Sequence, residues 1–150
     1  MIRLILSLTL GMGLLSGCVS ETVKSTSVPV LDTPKSLAPE AELLDVGVVI
    51  LDPGISTEED EELVYPEVRK AEATFMATEL AEVLAEQGGW GAVRVVPDDR
   101  QFSDLLVRGT ILGSDGESLE LKILVSDARG KLWLDKRYQG VTSRYAYEQG

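Results

Sequence analysis

Histidine is absent from the 150-residue chain, and cysteine occurs once, at Cys18. Without His the sequence lacks the commonest general base and the commonest metal ligand. A Ser-His triad, a Cys-His pair and a zinc site are therefore excluded by inventory. Positive charge is also scarce, with 14 Lys and Arg against 25 Asp and Glu and no His. Nucleic-acid phosphates need Lys and Arg, so this balance strongly disfavours nucleic acid, and no nucleic-acid partner is expected. Long apolar runs are missing too. The longest, Leu4 to Leu15, falls short of the roughly 20 residues that span a bilayer. No internal repeat is visible.

What is present at the start of the chain is a secretory signal. Arg3 is the only charge in the first 20 residues, and a Leu-rich stretch follows it. A short positive start, an apolar stretch and small residues at the cut are its marks. The cut region, Leu15-Ser16-Gly17-Cys18, resembles the bacterial lipobox, which implies cleavage between Gly17 and Cys18 and lipid on the Cys18 thiol. The lone cysteine stands where that motif demands one. Acyl chains buried at about 0.8 kcal/mol per methylene would anchor the chain to a membrane surface without spanning it. Val19 follows Cys18, where Asp would resemble an inner-membrane retention signal; in an organism with two membranes this favours the inner leaflet of the outer membrane, facing the periplasm. Removing residues 1–17 takes away Arg3 and no acid, leaving 13 basic and 25 acidic residues, net −12. That balance argues against a second, electrostatic grip on anionic lipid.

The mature chain divides into a lipidated tether, residues 18–42, and one domain, residues 43–150. The tether is rich in Ser, Thr, Val, Pro and Glu without a period, and Pro29, Pro34 and Pro39 recur every five residues. It is expected to be semi-extended and to enter no backbone ladder. The domain opens on Val46, Val48, Val49, Ile50 and Leu51, a run ended by Asp52-Pro53-Gly54. Such a run reads as a strand buried on both faces. Glu58 to Glu62 is an unbroken acidic run. It lacks the alternating ligands and glycine of a calcium loop and reads as solvated.

Pro66 and Glu67 suit a first helical turn, and Gly88-Gly89 stops the helix near Gln87. Between them Ala73, Met76, Ala77, Leu80, Val83 and Leu84 make one apolar stripe, expected to face the core. Phe75 lies away from it. Trp90, in a Gly-Gly-Trp-Gly turn, is expected to pack that turn onto the core. Val93, Val95 and Val96 make a short strand ended by Pro97. The last third alternates: Leu105, Val107, Gly109 and Ile111, then Leu119, Leu121, Ile123 and Val125, then Leu132, Leu134 and Tyr138, with Trp133 on the opposite face. The turns at Gly113–Gly116 and Asp127–Lys131 connect three strands into an antiparallel meander. The fold class expected is α+β: one domain with a mixed sheet of about five strands, β-α-β followed by β-β-β, and one long helix on one face.

Three segments across residues 44–140 carry a resemblance. They are Val46-Gly47-Val48-Val49-Ile50-Leu51-Asp52-Pro53, the long helix ending at Gly88 before a valine strand, and Asp104 to Thr110 followed by Val125 to Trp133. Together they resemble the periplasmic α/β domain of the penicillin-binding-protein activator lipoproteins, the curli-secretion lipoprotein and the Tol N-terminal domain. The segments Tyr65 to Glu72 and Gly89 to Pro97 also resemble an uncharacterised proteobacterial lipoprotein family. The resemblance implies a domain that binds proteins and does no chemistry. Related domains usually continue into another helix, whereas here Tyr145, Tyr147 and Gly150 follow.

The function expected is that of a membrane-anchored envelope lipoprotein. Its domain would be a non-catalytic protein-interaction or assembly module with an envelope protein as partner, and with no cofactor and no metal. Phe75, Trp133 and Tyr138 are the candidate interaction residues. A small-ligand or lipid carrier is the alternative, which would need a closed apolar pocket. A carboxylate-dependent cell-wall hydrolase is the third reading. It would need Asp52, Asp98, Asp99 or Asp104 to converge, although turns and caps favour Asp in any case.

Overall fold

The computed structural model describes residues 21–25, 36, 38–55 and 65–141. Six strands and one long helix appear in this order: β1 (Glu21–Ser25), a 3-10 turn at Glu40–Glu42, β2 (Val46–Val49), α1 (Pro66–Gln87), β3 (Val93–Val96), β4 (Leu105–Ser114), β5 (Ser118–Asp127) and β6 (Leu132–Val141). All six strands join one sheet in the order β1-β6-β5-β4-β2-β3. β2 runs parallel to both β3 and β4, β5 is antiparallel to β4 and β6, and β1 runs parallel to β6. The chain is thus α+β with a mixed sheet, and α1 packs over β3 and β2.

The sixth strand corrects the sequence reading. Residues 19–42 were expected to enter no ladder, yet Thr22 pairs with Arg137 and Val23 with Tyr138. Thr and Val suit a pleated edge, and a short edge strand needs only one partner. Lack of a long apolar period did not prevent that pairing. Pro29 and Pro34, the acidic run Glu58–Glu62 and the lipobox lie outside the described residues.

β2 lies between β4 and the edge strand β3, and its Val46 and Val48 are buried, as a run of apolar residues requires. Asp52 extends the parallel pairing through a bridge to Thr110. The chain then turns at Gly54, whose φ is +62° and where a Cβ would lie 1.9 Å from the Ile111 carbonyl oxygen. Only glycine fits there. The core brings together Val46, Val48, Leu51, Leu105, Val107 and Ile111 from the sheet and Ala73, Ala77 and Ala81 from α1.

The helix begins and ends where Pro66 and Gly88 place it. Its buried line is shifted from the expected stripe. Arg69, Ala73, Ala77 and Ala81, spaced by four, face the sheet, while Val83 is exposed. Three alanines let the helix backbone come close to the sheet, and Met76, Leu80 and Leu84 flank that line half-buried. Arg69 donates from Nη2 to the Ser114 carbonyl at 3.1 Å, and the Ser114 hydroxyl bonds to Glu72 Oε1 at 3.2 Å. This flank of the helix therefore faces the end of β4. Trp90 packs against the core, as expected of a turn anchor.

Two bulges interrupt the meander. The register jumps between Ile111 and Gly113 on β4, and between Leu134 and Leu132 on β6 opposite Ser126. Each inserts one extra residue and resets the alternation of faces. The first delivers Ser114 to the helix side. The second pairs Leu132 with Ser126, whose hydroxyl meets Arg108 on the face away from the helix. Leu132 was expected to share the core face with Leu134; the bulge puts it instead beside Trp133, and it is exposed.

Candidate functional site

Phe75, Trp133 and Tyr138 do not form one patch. Phe75 sits on α1 half a turn from Ala73 and Ala77, so its side chain points away from the sheet, 63% exposed. Trp133 is 55% exposed at the start of β6, where its indole N–H donates to Asp127 Oδ2 at 3.4 Å. Tyr138 pairs with Leu121 on one side and Val23 on the other, and it is half-buried on the helix side of the sheet. The three belong to the outer helix face, the hairpin end and the sheet interior respectively. Gly17 and Cys18 lie outside the described residues.

Exposed apolar side chains gather in two places instead. On α1, Val68 and Phe75 lie along the outer face, opposite the alanine line, and the exposed Tyr65 caps the helix start. At the β5–β6 hairpin, Leu132 and Trp133 stand together, and Phe102 is the most exposed large apolar side chain, at 89%. Phe102 precedes Asp104, whose carbonyl accepts the Ala128 N–H at 3.0 Å, so the two loops meet at one end of the sheet. The helical spacing of Val68 relative to Ala73 could have marked it as exposed. Nothing in the residue pattern marked Leu132, because a bulge is invisible to strict alternation.

The four candidate carboxylates do not share one end of the sheet: Asp104 stands at the start of β4, whereas Asp52, Asp98 and Asp99 follow the ends of the parallel strands β2 and β3. Asp52 Oδ1 accepts the Gly54 N–H at 2.8 Å, while Asp104 Oδ2 accepts the Asp45 N–H at 2.9 Å. Asp45 and Asp52 lie at opposite ends of the β2 segment, seven residues or about 20 Å apart along an extended chain. Asp98 accepts the Arg100 N–H and its guanidinium, and Asp99 pairs with Arg108 at 3.3 Å. The side-chain bond from Arg100 holds the Asp98 carboxyl below the usual aspartate range, and the Arg100 backbone N–H adds to it. Each of these acids thus has a backbone N–H or an arginine as partner, and that of Asp104 is 59 residues away in sequence. Among the described residues no group of three acidic side chains is placed to hold a metal ion, and no helix is long and apolar enough to cross a membrane.

The same chemistry recurs in the turns. Asp115 accepts the Ser118 and Glu117 N–H groups at 2.6 and 2.8 Å and the Ser118 hydroxyl at 2.8 Å. These bonds, the Ser118 N–H foremost, hold its carboxyl low. Asp127 Oδ1 accepts the Arg129 and Lys131 N–H groups, both at 2.9 Å. Its burial pushes the carboxyl up, but those two bonds, the Trp133 indole and the Arg129 charge together outweigh it and bring it down. Gly130, at φ +80°, lets this turn close.

No family model matches the chain, and no curated protein is similar enough in sequence to match it.

Proposed function

We propose that this chain is a lipid-anchored envelope lipoprotein, held at the inner leaflet of the outer membrane through Cys18, whose periplasmic domain recruits or assembles a partner protein without catalysing a reaction. The observation that carries the binding role is the outer face of α1. Val68 and Phe75 are exposed there, with Tyr65 exposed at the helix start, although the helix has already satisfied the core with its alanine line. Large aromatic and apolar side chains of this kind commonly dominate interface energy. The dispersal of Asp52, Asp98, Asp99 and Asp104 into separate caps and ion pairs supports a non-catalytic reading.

Two measurements test it. Intact-mass analysis of the mature protein from its native envelope is expected to give an N-terminus at Cys18 bearing lipid; any other N-terminus refutes the anchor. A photo-crosslinking residue placed at Phe75 is expected to capture one discrete envelope protein, while the same residue at Glu117, in the β4–β5 turn, captures none. Equal labelling at both positions, or none at either, refutes the interaction surface on α1.

A further inference from the structure

We propose that the β5–β6 hairpin tip, Ala128–Trp133, is a second membrane contact, in which Leu132 and Trp133 enter the headgroup layer of an anionic bilayer while Arg129 and Lys131 meet lipid phosphates. This rests on the reading of Cys18 as the lipid anchor.

The first argument is position. β1 runs parallel to β6 with Glu21 opposite Lys136, so the start of β1 and the start of β6 lie at the same end of the sheet. Cys18 is three residues before Glu21, and three residues span at most about 10 Å. Trp133 is three residues before Lys136, a similar distance along β6. Pairing of β1 therefore prevents the domain from standing off at the end of a long tether. It draws the hairpin end of the sheet towards the anchor and thus towards the bilayer.

The second argument is composition. The mature chain has nearly twice as many acidic as basic residues, yet the sign reverses at this tip. Residues 128–133 hold Arg129 and Lys131 and no acid; Asp127 at the base of the turn lies 3.7 Å from the Arg129 guanidinium, which leaves residues 127–133 net +1. Arg129 and Lys131 are exposed, as are Leu132 and Trp133 beside them. The net charge of the whole chain disfavours an electrostatic grip on lipid, but such attraction fades within a Debye length, so the charges nearest the surface decide it. A Trp with one polar edge and an apolar body suits the membrane–water interface. The exposed Phe102 stands at the same end of the sheet.

The third argument is stiffness. Asp127 accepts the Arg129 and Lys131 N–H groups and the Trp133 indole N–H, which fixes the turn from within. The tip is shaped before contact, and the anchor supplies the high local concentration that makes a weak second contact effective.

The test uses the full mature, acylated protein in vesicles of phosphatidylethanolamine and phosphatidylglycerol, some phospholipid being brominated on the acyl chain near the headgroup. Trp133 emission is read as the difference between the wild-type and the Trp133→Phe chain, which leaves the core residue Trp90 untouched. The proposal expects bromolipid to quench this difference signal, with a blue shift, and expects weaker quenching in Arg129→Gln/Lys131→Gln or in vesicles of phosphatidylcholine alone. An acylated, vesicle-bound chain whose Trp133 is neither quenched nor shifted overturns the proposal and leaves the anchor standing. Trp133 emission that shifts only when envelope proteins are added assigns the tip to a protein partner and also overturns it. A chain without lipid on Cys18 overturns the anchor, and the membrane contact with it.

Discussion

On the β2–β4 side of the sheet, Val46, Val48, Leu105 and Ile111 are sealed against the alanine line of α1. On the β5–β6 side, Leu119, Leu121, Ile123 and Val125 are only half-buried. The two halves share one sheet and one run of hydrogen bonds, but they are held by different means. The first relies on close packing, in which α1 lies over β3 and β2. The second relies on length. β5 and β6 are ten-residue strands that pair along most of their length, and their outer face carries the diagonal ion pairs Glu120–Arg137 and Lys122–Asp135. Those exposed ion pairs, at 3.8 and 3.6 Å, contribute about 0–1 kcal/mol each. One helix is too narrow to cover six strands, so the helix seals the sheet over β2 and β3 and leaves it half-open beyond, while the opposite face carries charge on both sides, Arg94 and Arg108 on one and Glu120 and Lys122 on the other.

The largest expected effect breaks this comparison if it is wrong. Ile111→Ala removes a side chain with no exposed surface, and its loss is expected to cost about 2–5 kcal/mol. Leu121→Ala, directly across the ladder at the paired position, is expected to cost clearly less, because its side chain already meets solvent. Urea unfolding of both variants measures the difference. Equal losses would mean that the β5 face is sealed as tightly as the β4 face.

A smaller effect sharpens the same contrast from the helix side. Ala77 is fully buried where α1 meets the sheet. Ala77→Leu is expected to destabilise by about 1–3 kcal/mol, because the close approach leaves no room for added methylenes. Ala85→Leu, on the exposed side of the same helix, is expected to change stability by no more than about 0.5 kcal/mol. If Ala77→Leu is silent, the helix does not lie as close to the sheet as its alanines allow.

The residue pattern revealed the covered half well. The apolar run at Val46–Leu51, Pro66 at the helix start, Gly88-Gly89 at its end and the alternation from Leu105 onward each state a local preference that the tertiary structure also demands. What escaped was non-local or lay between periods. β1 is five residues without a strong period, and its partner β6 is more than a hundred residues away, so its strand exists only through that pairing. The bulges at Leu112 and Trp133 exchange faces without leaving a mark in composition. The alanine line Ala73, Ala77, Ala81 was partly hidden because larger neighbours dominate any reading of hydrophobic weight. The same blind spots scattered the candidate site. Phe75 is visible as off-stripe, whereas the exposure of Leu132 depends on a bulge, and the placing of Phe102 at the same end of the sheet depends on a loop crossing.

The smallest effect expected is one of acidity, and it belongs to the open half. Asp115 and Asp127 close the two turns that frame β5, and both carboxyls are held below the usual aspartate value. For Asp115 the leading cause is the Ser118 N–H. For Asp127 burial acts in the opposite sense and is outweighed by the Lys131 and Arg129 N–H groups, the Trp133 indole and the Arg129 charge. The sign follows from linkage: a carboxyl whose folded pKa is lower than its unfolded one binds protons more readily when unfolded. Its contribution is therefore fully present above the unfolded value, near 3.9, and disappears as the pH falls through the lower folded value. Asp115→Asn and Asp127→Asn keep the side-chain shape but lose the charge. Each is expected to be less stable than the wild type at neutral pH by less than Ile111→Ala, and the gap should close on acidification below the ordinary aspartate range. Urea midpoints measured across that range decide it. A gap that persists unchanged in acid would show that these turns depend on the shape of the cap and not on its charge, and the open half would then be held by backbone geometry alone.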